Sequence, residues 1–131
     1  MGDVERHGSG GAWEAQVGYS RVVRAGAQVW VAGCTASGED GVVLGLGDAE
    51  AQALAAIDAI ERALATVGGT LADVVRTRVF VTDIDRWQDV GRAHGARFGD
   101  IRPVTTMVEV SRLIDPRLLV EIEADAFLAG G

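Results

Sequence analysis

Apolar and polar residues alternate with two distinct periods along this chain, and the two periods predict its elements. Arg21–Arg24 and Val29–Ala32 are β-rich runs separated by Ala25-Gly26-Ala27, which predicts a hairpin over Ser20–Cys34. Gly38–Gly47 is glycine-rich and reads as loop. Asp48 then offers an N-cap, and Leu54, Ile57, Ile60, Leu64 and Val67 recur at helical spacing until Gly68-Gly69 stops the helix. Its other face, Glu50, Gln52, Asp58 and Arg62, is expected to be wet. Val74–Thr82 reads as the central strand. Asp83 or Asp85 caps a second helix, with Trp87, Val90, His94 and Phe98 as its apolar stripe.

Two further strands follow. Thr105–Arg112 sets Thr106, Val108 and Val110 on one face and Thr105, Met107, Glu109 and Ser111 on the other. Leu118–Phe127 alternates Leu118, Val120, Ile122, Ala124 and Ala126 against Leu119, Glu121, Glu123, Asp125 and Phe127. The expected order is strand, strand, helix, strand, helix, strand, strand: an α+β fold with both helices on one face of a mixed sheet. The other face, with acids from the last strand and Arg76 and Arg78 from the central one, lacks cover from the chain's own helices. A homo-oligomer with ligand pockets at the subunit boundary is the expected consequence.

At 131 residues the chain makes one domain, residues 1–131, with residues 1–17 its least patterned segment. No apolar run reaches the ~18 residues of a membrane helix, and the N-terminus lacks the basic and apolar regions of a secretory signal. A net charge of −7 argues against nucleic-acid binding. The single Cys34 fits a reducing cytoplasm. There is no lysine, so Schiff-base catalysis through a lysine is excluded.

Few constellations carry chemistry on their own. His7 and His94 are not joined by a ligand pattern, so no metal is expected, and His94 reads as a packed histidine. Gly45-Leu46-Gly47 precedes a helix, but Asp48 and Glu50 occupy the turn that would face a phosphate. Cys34 follows Gly33 at a strand end, a pocket rim, with no base beside it to make it nucleophilic. Tyr19 either donates a hydrogen bond into a pocket or packs at an interface. For Glu121 and Glu123 the residues alone favour cross-strand ion pairs with arginine over a general base.

Several segments together resemble the RidA/YjgF family, also called L-PSP endoribonuclease-like. Gly18-Tyr19-Ser20-Arg21, Val29-Trp30-Val31-Ala32-Gly33, Leu71-Ala72-Asp73-Val74-Val75-Arg76-Thr77, Pro103 and Val120-Glu121-Ile122-Glu123-Ala124 carry the likeness, over about Gly18 to Phe127. It implies a chorismate-mutase-like fold, a homotrimer with sites between subunits, no cofactor, and hydrolysis of reactive enamines and imines to 2-keto acids and ammonia. It implies that Glu121 positions water, with Tyr19 and Thr105 orienting the substrate and Cys34, Gly33, Thr106, Met107 and Gly91 lining the site. The chain departs from the pattern where it matters. Thr105 stands at the position of an arginine that clamps the substrate carboxylate, Met107 at a cysteine, Ala32 at a serine, Cys34 at a glutamine and Gly91 at an asparagine. Arg21 and Arg102 are the candidates for a substitute cation. The expectation is therefore an imine or enamine hydrolase other than the standard 2-aminoacrylate deaminase. A metabolite-binding module without turnover is the alternative, and a ribonuclease or translation inhibitor a minor one.

Overall fold

The C-terminal alternation of apolar and acidic residues forms the middle of a six-stranded sheet. In the computed structural model, which describes residues 3–38 and 40–129, the elements are β1 (Val4–His7), α1 (Ala12–Val17), β2 (Val22–Ala25), β3 (Gln28–Cys34), α2 (Ala49–Ala65), β4 (Val74–Val81), α3 (Trp87–Phe98), β5 (Val104–Glu109) and β6 (Val120–Phe127). Glu39 of the expected Gly38–Gly47 loop and the Met1-Gly2 start lie outside the described residues. The strand order is β1-β2-β3-β6-β4-β5. Neighbours run antiparallel except β4 and β5, which are parallel and joined through α3, as a parallel pair requires.

The α+β reading holds, with two additions at the N-terminus. β1 pairs with β2, and the six-residue α1 follows it. Neither was legible, because Val4–His7 is a mostly exposed edge strand without alternation and α1 is too short to show a period. The later boundaries shift by one to three residues. β5 ends at Glu109 and β6 begins at Val120, each inside the span expected from the pattern.

α2 and α3 cover one face. Ile57, Ile60, Leu64 and Val90 are fully buried there against Val79, Val120 and Ile122 of the sheet. Burying each large aliphatic side chain of this set contributes about 1.5–3 kcal/mol. Asp48 caps α2 by accepting from the Ala51 N–H, so that helix end already carries its own anion.

Two residues of the helices depart from expectation. Gln52 is completely buried, not on the wet face. Its amide nitrogen donates to the carbonyls of Gly45 and Arg117, and its oxygen accepts from the Leu119 N–H at 2.7 Å. The side chain thus ties two loops to α2, and satisfied hydrogen bonds make its burial tolerable. Trp87, at the first turn of α3, is 54% exposed rather than part of the buried stripe.

The opposite face has no helix of its own among the described residues. Cross-strand registry places Arg78 beside Glu123 and Arg76 beside Asp125. These form ion pairs: Arg78 to Glu123 at 3.3 Å, Arg78 to Asp125 at 3.6 Å and Arg76 to Asp125 at 3.8 Å. Trp30, Val108 and Phe127 share this face and are exposed.

Candidate functional site

A bulge in β3 builds one corner of the sheet into a site. Val31 pairs with Ala124 and Cys34 with Ile122, so three steps along β3 span two along β6. Strict alternation from Val31 would turn Cys34 to the open face. The extra residue returns it to the core, where it is 3% exposed. At the bulge, Gly33 lies directly under the Glu121 side chain. A Cβ on residue 33 would overlap the carboxylate, with Cδ only 2.8 Å away. A glycine is what lets the acid lie across the strand.

Arg21 ties this corner together. Its Nε donates to Glu14 Oε2 at 3.3 Å, its Nη1 to the carbonyls of Gly33 and Ala32 at 2.6 and 3.2 Å, and its Nη2 to Tyr19 Oη at 3.3 Å. The guanidinium also lies 5.5 Å from the centre of the Tyr19 ring and 3.5 Å from Cys34 Sγ. Glu14 is buried and accepts from the Ser9 N–H and hydroxyl. Burial alone would raise the Glu14 pKa, but the Ser9 hydrogen bonds and the Arg21 charge outweigh it and hold the carboxyl below its usual value. The N-terminal glycine-rich stretch and α1 therefore form a wall fixed by a buried ion pair.

Tyr19 accepts from Arg21, which leaves its own O–H free to donate toward a ligand. Cys34 is not activated. Burial pushes its thiol up despite the Arg21 charge, and Sγ donates to the Ala32 carbonyl at 3.3 Å.

Glu121 is the unusual group. On β4 it faces Phe80 where Glu123 faces Arg78. Among the described residues no hydrogen bond or ion pair holds its carboxylate, and it is only partly exposed. Burial first, and the nearby Glu123 charge second, raise its pKa above the ordinary 4.5, with Arg21 pulling the other way. The cross-strand pairing expected for both acids therefore holds for Glu123 and fails for Glu121.

Tyr19, Arg21, Gly33, Cys34 and Glu121 line one cavity of about 810 Å³. Thr105, Thr106, Met107 and Gly91 do not line it; they belong to β5 and α3 at the far edge of the sheet. Two strands, β6 and β4, separate β5 from β3, a span of roughly 14 Å at the ~4.8 Å strand spacing. Thr105 turns toward the helices, where its hydroxyl meets Thr77 Oγ1 at 2.8 Å and His94 Nε2 at 3.4 Å. His94 in turn bonds Thr77 at 2.9 Å and packs on Phe98, and burial lowers its pKa. Arg102 is exposed. Its N–H bonds the Phe98 carbonyl and its Nε the Gly99 carbonyl, so it finishes α3 and is spent there. Of the two candidate cations, Arg21 is the one in the cavity. Trp13 and Arg62, which line the cavity, and Glu14, which anchors Arg21 behind it, carry no signal in the sequence. Trp13 and Glu14 lie on an unpatterned helix and Arg62 on what reads as a solvated face.

This arrangement can be compared with known proteins. The sequence profile of the family described as Endoribonuclease L-PSP matches residues 10–128. The chain belongs to that family. Its fold is similar to the crystal structure of Rv2704 from Mycobacterium tuberculosis, of the YjgF/YER057c/UK114 family, with 54% identity, a TM-score of 0.87, and 95% and 99% of the two chains covered. It is 40% identical to an uncharacterised Streptomyces coelicolor protein, covering 95% of this chain and 92% of the other. It is also 30% identical to the 3-aminoacrylate deaminase RutC of Acinetobacter baylyi, over 82% of this chain and 85% of that one. No helix among the described residues is long and apolar enough to cross a membrane.

Proposed function

We propose that the protein hydrolyses a small imine, or its enamine tautomer, to a carbonyl compound and ammonia. The observation that carries this reading is Glu121: partly buried, raised in pKa, without a partner among the described residues, and set in a cavity beside Tyr19. Such a carboxylate can take a proton from water as the water oxygen bonds to the carbon of the protonated imine, and return it to the amine nitrogen; the carbinolamine hydroxyl then loses its proton as C=O forms, and the C–N electron pair leaves with nitrogen as ammonia. The free Tyr19 hydroxyl orients the substrate. The RutC relative, named for deamination of 3-aminoacrylate, supports the reaction class.

The reading includes a homotrimer. Exposed Trp30, Val108 and Phe127 around the ion-paired ladder give the open sheet face the character of an interface. A second copy bringing its β5 edge to this face would set its Thr105, Thr106, Met107 and Gly91 at the mouth of the cavity. Thr105 then stands where the family's carboxylate-binding arginine would be. Loss of a charged hydrogen bond weakens binding by about 1.5–3 kcal/mol, roughly tenfold to a hundredfold. The substrate is accordingly not the standard 2-aminoacrylate.

The test is ammonia release from 2-iminopropanoate and from larger imines generated in situ, comparing wild type with Glu121→Ala. Acceleration lost in the variant supports the reading; equal, uncatalysed rates for every imine overturn it. The absence of a cation at Thr105, which is already bonded to Thr77 and His94, favours a second reading: metabolite binding without turnover. A ligand that stabilises the protein to heat and survives prolonged incubation unchanged would decide for it. The net charge of −7 weighs against a ribonuclease.

A further inference from the structure

The ion pair behind the cavity does more than fix a wall. α1 has six residues, too few to make a stable helix alone, and its one buried side chain is a carboxylate, Glu14, rather than an apolar group. The surroundings of that carboxylate are shaped for it. A Cβ on Gly8 would stand 2.8 Å from Glu14 Oε1, and one on Gly11 3.3 Å from Oε2. The Ser9 N–H and hydroxyl donate to the two oxygens at 2.9 and 2.5 Å. The Glu14 carbonyl accepts from the Gly18 and Tyr19 N–H groups, so the segment that carries Tyr19 starts from the same residue.

Arg21 is the partner that makes this burial useful. Its side chain is only 16% exposed, and each guanidinium nitrogen is in use: Nε on Glu14, Nη1 on the Gly33 and Ala32 carbonyls, Nη2 on Tyr19 Oη. Glu14 is its one ion-pair partner among the described residues. A cation this far from solvent needs an anion. Among the acids that line the cavity, Asp115 is bound by Arg117 and Asp40 accepts from the Val42 N–H, which leaves Glu121 unpartnered. Glu121 lies over Gly33, whose carbonyl Arg21 already holds. Without the Glu14 charge, the acid left to answer Arg21 is Glu121.

We propose that Glu14 is a positioning residue for Glu121: by engaging Arg21 it keeps the guanidinium on Tyr19 and the bulge and away from the Glu121 carboxylate. Its effect on turnover rests on the imine-hydrolase reading; its effect on Glu121 does not. Released from Glu14, Arg21 takes at Glu121 the part that Arg78 takes at Glu123. The other charged or titratable groups around Glu121 are Cys34 of β3 and Glu123 of its own strand, with Tyr19, Arg62 of α2 and Arg117 on the same cavity wall. Burial keeps the Cys34 thiol neutral, Glu123 is held by Arg78 and Arg117 by Asp115. Arg21 is the group whose position Glu14 decides.

The test follows the Glu121 carboxyl carbon by NMR titration in wild type, Glu14→Gln, Arg21→Gln and the double variant. Glu14→Gln is expected to lower the Glu121 midpoint by about one unit or more, as an arginine brought beside a carboxylate does. Arg21→Gln is expected to raise it, because the pull of Arg21 is gone. The double variant separates positioning from packing: with no cation to turn, its midpoint is expected to return above 4.5. An unchanged midpoint in Glu14→Gln, or a double variant as low as the single, overturns the assignment. Should Glu14→Gln fail to fold, Arg21→Gln decides alone, and a midpoint that stays in place there overturns it. In parallel, ammonia release from 2-iminopropanoate and larger imines is expected to lose at least about tenfold in kcat in Glu14→Gln, with KM changed less than about threefold, and to recover in part in the double variant. Shifted midpoints without ammonia release from wild type leave the positioning role standing and remove the hydrolase. Release that is lost in Glu14→Gln while the Glu121 midpoint stays fixed overturns the positioning role and leaves the hydrolase standing.

Discussion

Glu121 and Glu123 lie two residues apart on one face of the same strand, yet they have opposite surroundings. Glu123 faces Arg78 across the β4–β6 pairing and is bound to it at 3.3 Å. Glu121 faces Phe80, lies over a glycine at a bulge, and keeps a raised pKa. The residue on the neighbouring strand decides which acid is spent on the sheet and which is left for chemistry. An acid held without a partner is a cost to folding that fits a functional group better than a structural one.

The largest test of this contrast is kinetic. Glu121→Gln should lower kcat for imine hydrolysis by about 10²–10⁴-fold, the usual contribution of a general base, whereas Glu123→Gln should change it less than about threefold. Steady-state ammonia release from both variants measures the difference directly.

Gly33→Ala sharpens the same contrast from below. The new Cβ cannot coexist with the Glu121 carboxylate in place, so the acid must swing away. Activity should fall about tenfold, and stability by about 1–3 kcal/mol as an overpacked site relaxes. Unchanged kinetics with a normal melting temperature would show that the acid's position over the glycine is immaterial.

Phe80→Arg would erase the difference by giving Glu121 the partner that Glu123 has. Its pKa should drop, and the acidic limb of the kcat/KM profile should move to lower pH. In wild type the activity falls as pH decreases through the raised pKa, because the base is then protonated. The linkage to stability has the matching sign. A carboxyl whose pKa is raised on folding contributes stability that is complete below its unfolded value, near 4.5, and lost as pH rises through the folded value. Glu121→Gln should therefore raise Tm at neutral pH, with the gain shrinking toward pH 4.

The smallest effect is expected at the paired end. Arg78→Ala removes contacts to Glu123 and Asp125 between partly exposed groups, worth within about 1 kcal/mol, and thermal melting should shift by only a few degrees.

The sequence made parts of this contrast visible. The alternation from Leu118 to Phe127 put both glutamates on the uncovered face, and the apolar spacing of Leu54 to Leu64 identified the helix that covers the other. It could not separate the two acids, because Arg78 and Phe80 become their partners only through strand registry, a long-range pairing without a local signal. The bulge at Gly33 was hidden for the same reason. Gln52 reads as polar and hence wet, but its burial depends on the carbonyls of Gly45, in the loop leading into α2, and of Arg117, far along the chain. Arg21 and Arg102 were indistinguishable as candidates until the fold put one against Tyr19 and the other at the end of α3.

The most direct test of the central claim is a carboxyl-carbon NMR titration of Glu121, assigned by comparison with Glu121→Gln. The account predicts a midpoint above the 4.5 of an unperturbed glutamate, moving down in Phe80→Arg. A Glu121 midpoint at or below 4.5 in the wild-type protein would show a solvated or ion-paired acid and contradict the account.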